Sequence, residues 1–354
     1  MAQGFAVRLS ANPDDAVNGA ASAEVTECLG QPTRYRLTYS LDSVDGDFPL
    51  LKESKLGPDS DLSIIVTTAD GSECLVRGPV GGQEMSFVHG GSGSTLVVTG
   101  ADSSIKLDRE DKVFAWADVT DSDAVSKILT TANLSPTVET TTAGHAELKH
   151  TLIQRESDLS FIRRLARRNG SLFWVRCDAE GTETSFFQRP KLDGEAECDL
   201  IINLTDPRPN VTDLEIMWDV ECPTSVDATE LDLNTKSDIT GAVARSPLTA
   251  LGGSALADIA LGTRSAHIAM PVDDQGDLQA RGEAVLIDSS FFVRAKGSTT
   301  LSVLGKVLRA HTLVNLRGVG TRHSGIWFCA YVNHVIEENE HVMNFELVRN
   351  GWTE

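Results

Sequence analysis

The chain has 354 residues, 41% of them hydrophobic and 23% charged, with 51 Asp and Glu against 31 Lys and Arg and a formal net charge of −20. At about 150 residues per domain, this length predicts two or three domains, and the composition is that of a globular protein. The acidic balance argues against wholesale binding to phosphate backbones, which needs clustered positive charge, and against stable nucleic-acid binding through any one basic face. No stretch approaches the ~18 apolar residues of a membrane span, and "MAQGFAVRLSANPDD" lacks the basic start and apolar run of a secretory signal. Cys28, Cys74, Cys177, Cys198, Cys222 and Cys329 are scattered, with no Cys-x-x-Cys pair. That spacing predicts free, buried thiols in a chain made in a reducing cytoplasm.

Strand-like segments come first. "RYRLTYSL" (34–41), "DLSIIVTT" (61–68), "ECLVRGPV" (73–80), "STLVVTG" (94–100) and "KVFAWADV" (112–119) are rich in β-branched and aromatic residues and separated by Gly, Asp and Ser clusters, which predicts hairpins. Residues 45–61, with Pro49 and Pro58, read as a long loop. In "DSDAVSKILTTANL" (121–134), Ala124, Val125, Ile128 and Leu129 recur at helical spacing, with Asp121 or Ser122 as the expected N-cap. A Thr-rich extended stretch, a second helix and the strand "SLFWVRC" complete a compact α/β unit over 121–205.

The last third predicts strands at 211–220 and 265–271, a loop with a helical turn over 243–262, and a helix over 273–290 despite Gly276 and Gly282. At the end, "EENE" turns the chain so that 326–336 and 341–349 pair antiparallel. The period-two rule puts Ile326, Phe328, Ala330, Val332 and Ile336 on one face, and Met343, Phe345 and Leu347 on another. No internal repeat marks a solenoid or propeller.

The second helix, within "ESDLSFIRRLARRNGSLFW" (156–174), carries four arginines. On a wheel of about 100° per residue, Leu159, Phe161, Ile162, Leu165 and Ala166 fill one sector, and Arg163, Arg164, Arg167 and Arg168 fill the opposite one. Ser157 is the expected N-cap, Asp158 complements the first turn, and Asn169-Gly170 supplies a left-handed stop. The arginine face is either solvated or a contact with another subunit's acidic surface, where the forked guanidinium grips carboxylates well.

"LIQRESDLSFIRRLARRNGSLFWV" resembles a stretch of the baseplate hub proteins of contractile phage tails and injection machines, the late control protein D family and the hub portion of VgrG-like spike proteins. Gln154, Glu156, Ser157, Asp158, Phe161, Leu165, Ala166, Arg168, Gly170, Phe173 and Trp174 match its pattern. Gly318, Gly320, Gly325, Trp327, Val332, His334, Phe345, Leu347, Arg349 and Asn350 match the family's closing β unit. Arg309-Ala310-His311 departs from it, because family members more often turn there on a Gly. The two matching blocks cover about a third of the chain.

The resemblance implies a mainly β fold with an inserted α/β unit: tail-tube-like β-barrel domains over 1–120 and 206–354 flank an α/β domain over 121–205. It implies a structural, non-enzymatic homotrimer without a cofactor, whose ring adapts a sixfold tail tube to a threefold central spike. The expected partners are the tube protein, a separate spike polypeptide (the chain stops after the hub signature) and baseplate wedge or other hub proteins, with DNA or protein cargo passing through. Such a ring is assembled in the producing cell's cytoplasm and ends in the virion tail baseplate or injection particle. Part of the negative charge is expected to line its bore, so that cargo slides without sticking.

Two alternatives belong to other classes. "FVHGGSGSTL" (87–96) is similar to a His-Gly-Gly oxyanion loop and suggests a hydrolase using His89, although no G-x-S-x-G elbow follows and a hairpin loop accounts for the glycines. A stand-alone glycan- or receptor-binding protein is the other. In "GHAELKH", His145 and His150 stand five apart, about 140° around a helix, which is poor zinc geometry beside Glu147. His334 is expected to hydrogen-bond within the barrel, and the acidic runs "DREDK" (108–112) and "EENE" to be exposed turns.

Overall fold

A computed structural model describes residues 4–10, 16–69, 71–147, 151–205, 207–232, 236–269, 272 and 275–353. The first unit is built from β1 (Phe5–Leu9), β2 (Ala20–Cys28), β3 (Arg34–Ser40), β4 (Asp61–Thr68), β5 (Gly71–Ser86) and β6 (Thr95–Ala101). Alternation sends Val25, Leu37, Tyr39, Ile64, Leu96 and Val98 into one core. β5 is long enough to pair with β4 through its first half and β6 through its second, with a shift between Val80 and Gly82 where it turns from one to the other. β1 and β2 are absent from the sequence reading. In "AASAEVTEC" small residues and an inward Glu27 hide the apolar alternation, and a bulge between Ala20 and Ser22 resets it.

Next come β7 (Asp111–Trp116), β8 (Val119–Thr120), α1 (Asp121–Thr131), β9 (Ser135–Val138), β10 (Gly144–His145), β11 (Leu152–Ser157), α2 (Asp158–Asn169), β12 (Leu172–Cys177) and β13 (Glu183–Gln188). The expected cap of α1 is corrected: Thr120, one residue earlier, accepts from Asp123 N–H, and Asp123 returns the bond to Thr120 N–H. Asp121 is thereby left free for another use. α1 and α2 bury Val125, Leu129, Phe161, Ile162 and Leu165 against Phe173 and Phe187 of the β12–β13 hairpin, a core separate from the first.

The last unit contains β14 (Asp199–Ile201), β15 (Asp213–Trp218), β16 (Ser225–Asp232), β17 (Ser237–Val243), β18 (Ser254–Ala255), α3 (Leu256–Ile259), β19 (Ser265–Ile268), α4 (Gln275–Ser290), β20 (Val293–Thr300), α5 (Leu301–Leu304), β21 (Leu313–Arg317), α6 (Gly320–His323), β22 (Gly325–Ile336), β23 (His341–Arg349) and β24 (Gly351–Trp352). The strand expected at 265–271 ends at Ile268, with Met270 and Pro271 outside the described residues, as are the first two positions of the helix expected at 273–290. β22 and β23 pair antiparallel, and Trp327, Cys329, Val332, Met343, Phe345 and Leu347 share a third core. The single face expected for β22 is corrected here. A register shift between Cys329 and Tyr331 reverses the alternation, so Ile326, Phe328 and Ala330 pack on one side and Val332 and Ile336 on the other.

The fold is mainly β. Its largest element is one twelve-stranded sheet in the order β1-β4-β5-β6-β3-β2-β22-β23-β20-β15, with β21 beside β22 and β14 beside β21. The antiparallel β2–β22 pair joins the N-terminal strands to the C-terminal ones. No helix among the described residues is long and apolar enough to cross a membrane.

Candidate functional site

The seam between β2 and β22 carries a buried polar cluster around one ion pair. Its register sets Val25 opposite His334 and Glu27 opposite Val332, so Glu27 and His334 lie on the same inward face. The loop before β21 brings in Arg309, whose Nε lies 2.7 Å from Glu27 Oε1. Arg309 Nη1 and Nη2 donate to the carbonyls of Cys74 and Leu75 on β5, each at 3.0 Å. Ala310 N–H donates to Glu27 Oε2 at 2.9 Å. Burial alone would raise the Glu27 carboxyl, but Arg309, His334 and the Ala310 amide hold it down at about 2. Burial pushes His334 below its ordinary value and His341 down to about 3, so both rings are neutral near pH 7. Their Nδ1 and Nε2 atoms sit 3.0 Å apart and share one proton as donor and acceptor.

Arg309-Ala310-His311, where the resemblance led one to expect a glycine, therefore does structural work. His311 itself takes the left-handed conformation at φ 66° and stacks on Trp174, ring centroids 4.1 Å apart and 8° from parallel. The imidazole is buried, which lowers its pKa to about 3. Trp174 also stacks on Phe186, so one loop ties the first unit, the inserted hairpin and the closing strands together. Beside it, Cys74 of β5 and Cys177 of β12 form a disulfide across 103 residues, with Cα atoms 5.7 Å apart. The expectation of six free thiols is corrected on this pair: tertiary packing lays two strands of different units together, which scattered spacing could not show. Cys28, Cys198, Cys222 and Cys329 are free.

The arginine helix has the expected ends. Ser157 Oγ accepts from Ser160 N–H, and Gly170 closes it at φ 65°. A Cβ at Gly170 would also lie 2.6 Å from Ile287 Cδ1 on α4. The expected common outward face is corrected for one member. Arg168 turns inward, its side chain 11% exposed, with Nε 3.1 Å from Asp121 and Nη2 3.4 Å from Asp277. Asp121, freed from capping, also accepts from Asn169 Nδ2 at 2.7 Å and bonds His145 Nε2 at 2.8 Å. Burial raises the Asp121 carboxyl, and these partners outweigh it and keep it below the usual range. Arg164 pairs with Glu156 at 2.6 Å and lies over the Phe161 ring, while Arg167 is exposed and Arg163 half-buried.

The other signature residues pack and hydrogen-bond within the fold. Asp158 pairs with Lys112 and accepts from Gln154 Nε2 at 2.7 Å. Phe161 stacks on Trp116. Trp327 is buried and donates to the His323 carbonyl at 2.9 Å, and Phe345 belongs to the same core. Arg349, lowered in pKa by burial, donates through Nε to the Leu251 carbonyl at 2.6 Å and lies over Trp327. His89 stands on the exposed loop of the β5–β6 hairpin, closed by Ser94 N–H to the Gly91 carbonyl and by Val88 N–H to Ser94 Oγ. His150 lies outside the described residues, and among those described no group of three metal-ligating side chains gathers. Sequence reasoning missed Glu27, Asp277, His341 and the roles of Asp121 and Arg309. No local signal marked Glu27, because its own inward carboxylate and the small residues of β2 hide the alternation that would have placed it.

The chain belongs to the family described as Alg8 N-terminal domain, whose model matches residues 37–338. No curated protein matches it in sequence. Among solved structures, a tail protein from Neisseria meningitidis superposes with TM-score 0.69 at 13% identity, covering 99% of this chain and 98% of that one. A prophage tail protein from Shewanella oneidensis gives 0.68 at 16% identity, covering 99% of each chain. An Escherichia coli protein described as a type VI secretion component structurally similar to T4 bacteriophage tail proteins gives 0.59 at 15% identity, covering 94% of this chain and 73% of that one. The fold is thus that of phage tail proteins.

Proposed function

We propose that this chain is the structural hub of a contractile tail or injection machine, a homotrimeric ring that adapts a sixfold tube to a threefold central spike. Each copy supplies two tube-like β domains, over 1–120 and 206–354, around the α/β domain over 121–205. The observation that carries the reading is the unbroken twelve-stranded sheet, in which N-terminal and C-terminal strand sets join at β2–β22. Two strand sets per chain are what three copies need to imitate six tube subunits. Tail-protein likeness over nearly the whole length of both chains supports it. The family description names no tail component and no reaction, so the reading rests on the fold.

In this reading the chain works by association and performs no chemical step. Open sheet edges pair between copies, and the remaining outward arginines, Arg163, Arg164 and Arg167, meet an acidic neighbour. Arg168 holds their helix from within. Tube, spike and wedge proteins are the partners, cargo passes through, no cofactor is needed, and the mature site is the tail baseplate or injection particle. Native mass spectrometry and co-expression test this. A mass three times 38.1 kDa with capture of tube and spike proteins is expected, and a monomer that captures neither overturns it.

A further inference from the structure

The disulfide fastens together two strands that share no ladder. Cys74 lies where β5 pairs with β4, and a bulge there sets Ile64 opposite Val76 and Ile65 opposite Cys74. The extra residue, Leu75, enters the first core with Val76, while Cys74 is turned out of it into a small cluster with Ile65 and Cys177. Arg309 fixes the bulge through the Cys74 and Leu75 carbonyls. Cys177 ends β12, whose ladder neighbour among the described residues is β13 alone. Near the bond, the first unit meets the end of the β12–β13 hairpin through single hydrogen bonds. Arg77 Nη1 donates to the Gly181 carbonyl at 2.6 Å, and Ser103 Oγ donates to Glu183 at 2.7 Å. β5 is thus the anchored side, and the hairpin end, 177–183, is the side free to move.

A cleft of about 630 Å³ lies against the bond. Ser72, Glu73 and Cys74 line it from β5, and Cys177, Asp178 and Thr182 line it from the hairpin end. The bond therefore pins one wall of the cleft to the other, and a small solute entering the cleft reaches it without unfolding the chain. Cys177 is 6% exposed against 1% for Cys74, so Cys177 is the side an incoming thiolate meets first. Cys198 lines the same cleft as a free thiol, but burial pushes it up to about 11, with neighbouring Glu197 adding to the rise. It stays protonated near neutral pH and does not attack the bond, so exchange needs a thiolate from outside.

We propose that Cys74–Cys177 is a redox clasp, opened and closed in the folded protein by glutathione exchange through this cleft. In opening, a glutathione thiolate attacks the Cys177 sulfur, and the Cys74 sulfur leaves with the bonding electron pair and takes up a proton. A second glutathione thiolate attacks the glutathione sulfur of the mixed disulfide. Glutathione disulfide leaves, and the released Cys177 thiolate is protonated in turn. The chain gains two electrons and two protons, which two glutathione molecules lose. Closing is the reverse, with glutathione disulfide as oxidant. With the bond open, the Arg77 and Ser103 hydrogen bonds hold the hairpin end near β5, so the two sulfurs can pair again. The clasp lies within one chain and works with or without a ring.

The test takes the full chain in native buffer through reduced and then oxidised glutathione. At each stage a sample is unfolded in a thiol-blocking reagent and weighed intact. Four blocked cysteines should rise to six and return to four, with circular dichroism of the native protein unchanged throughout. Hydrogen exchange of the 177–183 amides should be about tenfold faster or more in the reduced form, while β22 and β23 keep their protection. Cys74→Ser with Cys177→Ser should show the fast pattern in both buffers, and reduced wild-type protein gives the same readout if that variant fails to fold. A bond that yields only once the chain unfolds overturns the proposal. So does faster exchange shared by β22 and β23, equal exchange of the hairpin end in both forms, or a re-formed bond that maps to Cys198.

Discussion

Two buried polar joints hold the units together, and they differ in what they can lose. Around Asp121, one carboxylate is served three times over, by His145, Asn169 and Arg168, and Arg168 reaches a second carboxylate at Asp277. Around Glu27, one carboxylate faces one guanidinium, and the rest of the shell is neutral histidine and backbone. The first joint shares its charges among several partners and the second concentrates them in a single pair. Removing one partner from a concentrated pair leaves an uncompensated buried charge, which costs more than thinning a shared network.

The largest effect is therefore expected from Arg309→Ala. It strands Glu27 and should lower unfolding free energy by about 3–5 kcal/mol in urea denaturation. Replacing both Glu27 and Arg309 by Met removes the charges together and should recover most of that loss, which sharpens the point that pairing, not net attraction, is at stake. The same joint makes the protein acid-sensitive. His341 and His311 have folded pKa values depressed from 6.5 to about 3, so the unfolded chain binds protons first and stability falls as pH drops across that window. Glu27, depressed from 4.5 to about 2, adds a second loss below pH 4.5. Thermal melts between neutral pH and pH 4 should show monotonic destabilisation, reduced at its upper end in His341→Phe.

The covalent tie comes next. Cys74→Ser with Cys177→Ser should cost about 2–4 kcal/mol, since the bond closes a long loop in the unfolded chain. A reducing agent should lower wild-type melting towards that of the double variant, and thiol counting should find the extra two sulfhydryls only after reduction. Arg168→Gln should cost about 2–3 kcal/mol, less than Arg309→Ala because Asp121 keeps two other partners. Arg163→Gln and Arg167→Gln should move stability by no more than about 0.5 kcal/mol. Arg168 as harmless as its outward neighbours would erase the distinction between the two kinds of arginine on α2.

Local features were legible in the sequence because their causes lie within a few residues. The α2 helix runs from its Ser157 cap to its Gly170 stop because both ends and the apolar stripe are read at helical spacing. β22 and β23 pair because a short acidic turn joins two alternating runs. What only the tertiary structure decided is every contact between distant segments: Arg168 turning in to Asp121 and Asp277, Arg309 finding Glu27 from 282 positions away, Cys74 meeting Cys177, and the bulge that reverses β22. Periodicity ranks positions by which face they occupy. It carries no information about which charged residue, strand or sulfur another unit will bring to that face, and in a sheet assembled from both ends of the chain that choice fixes the buried chemistry.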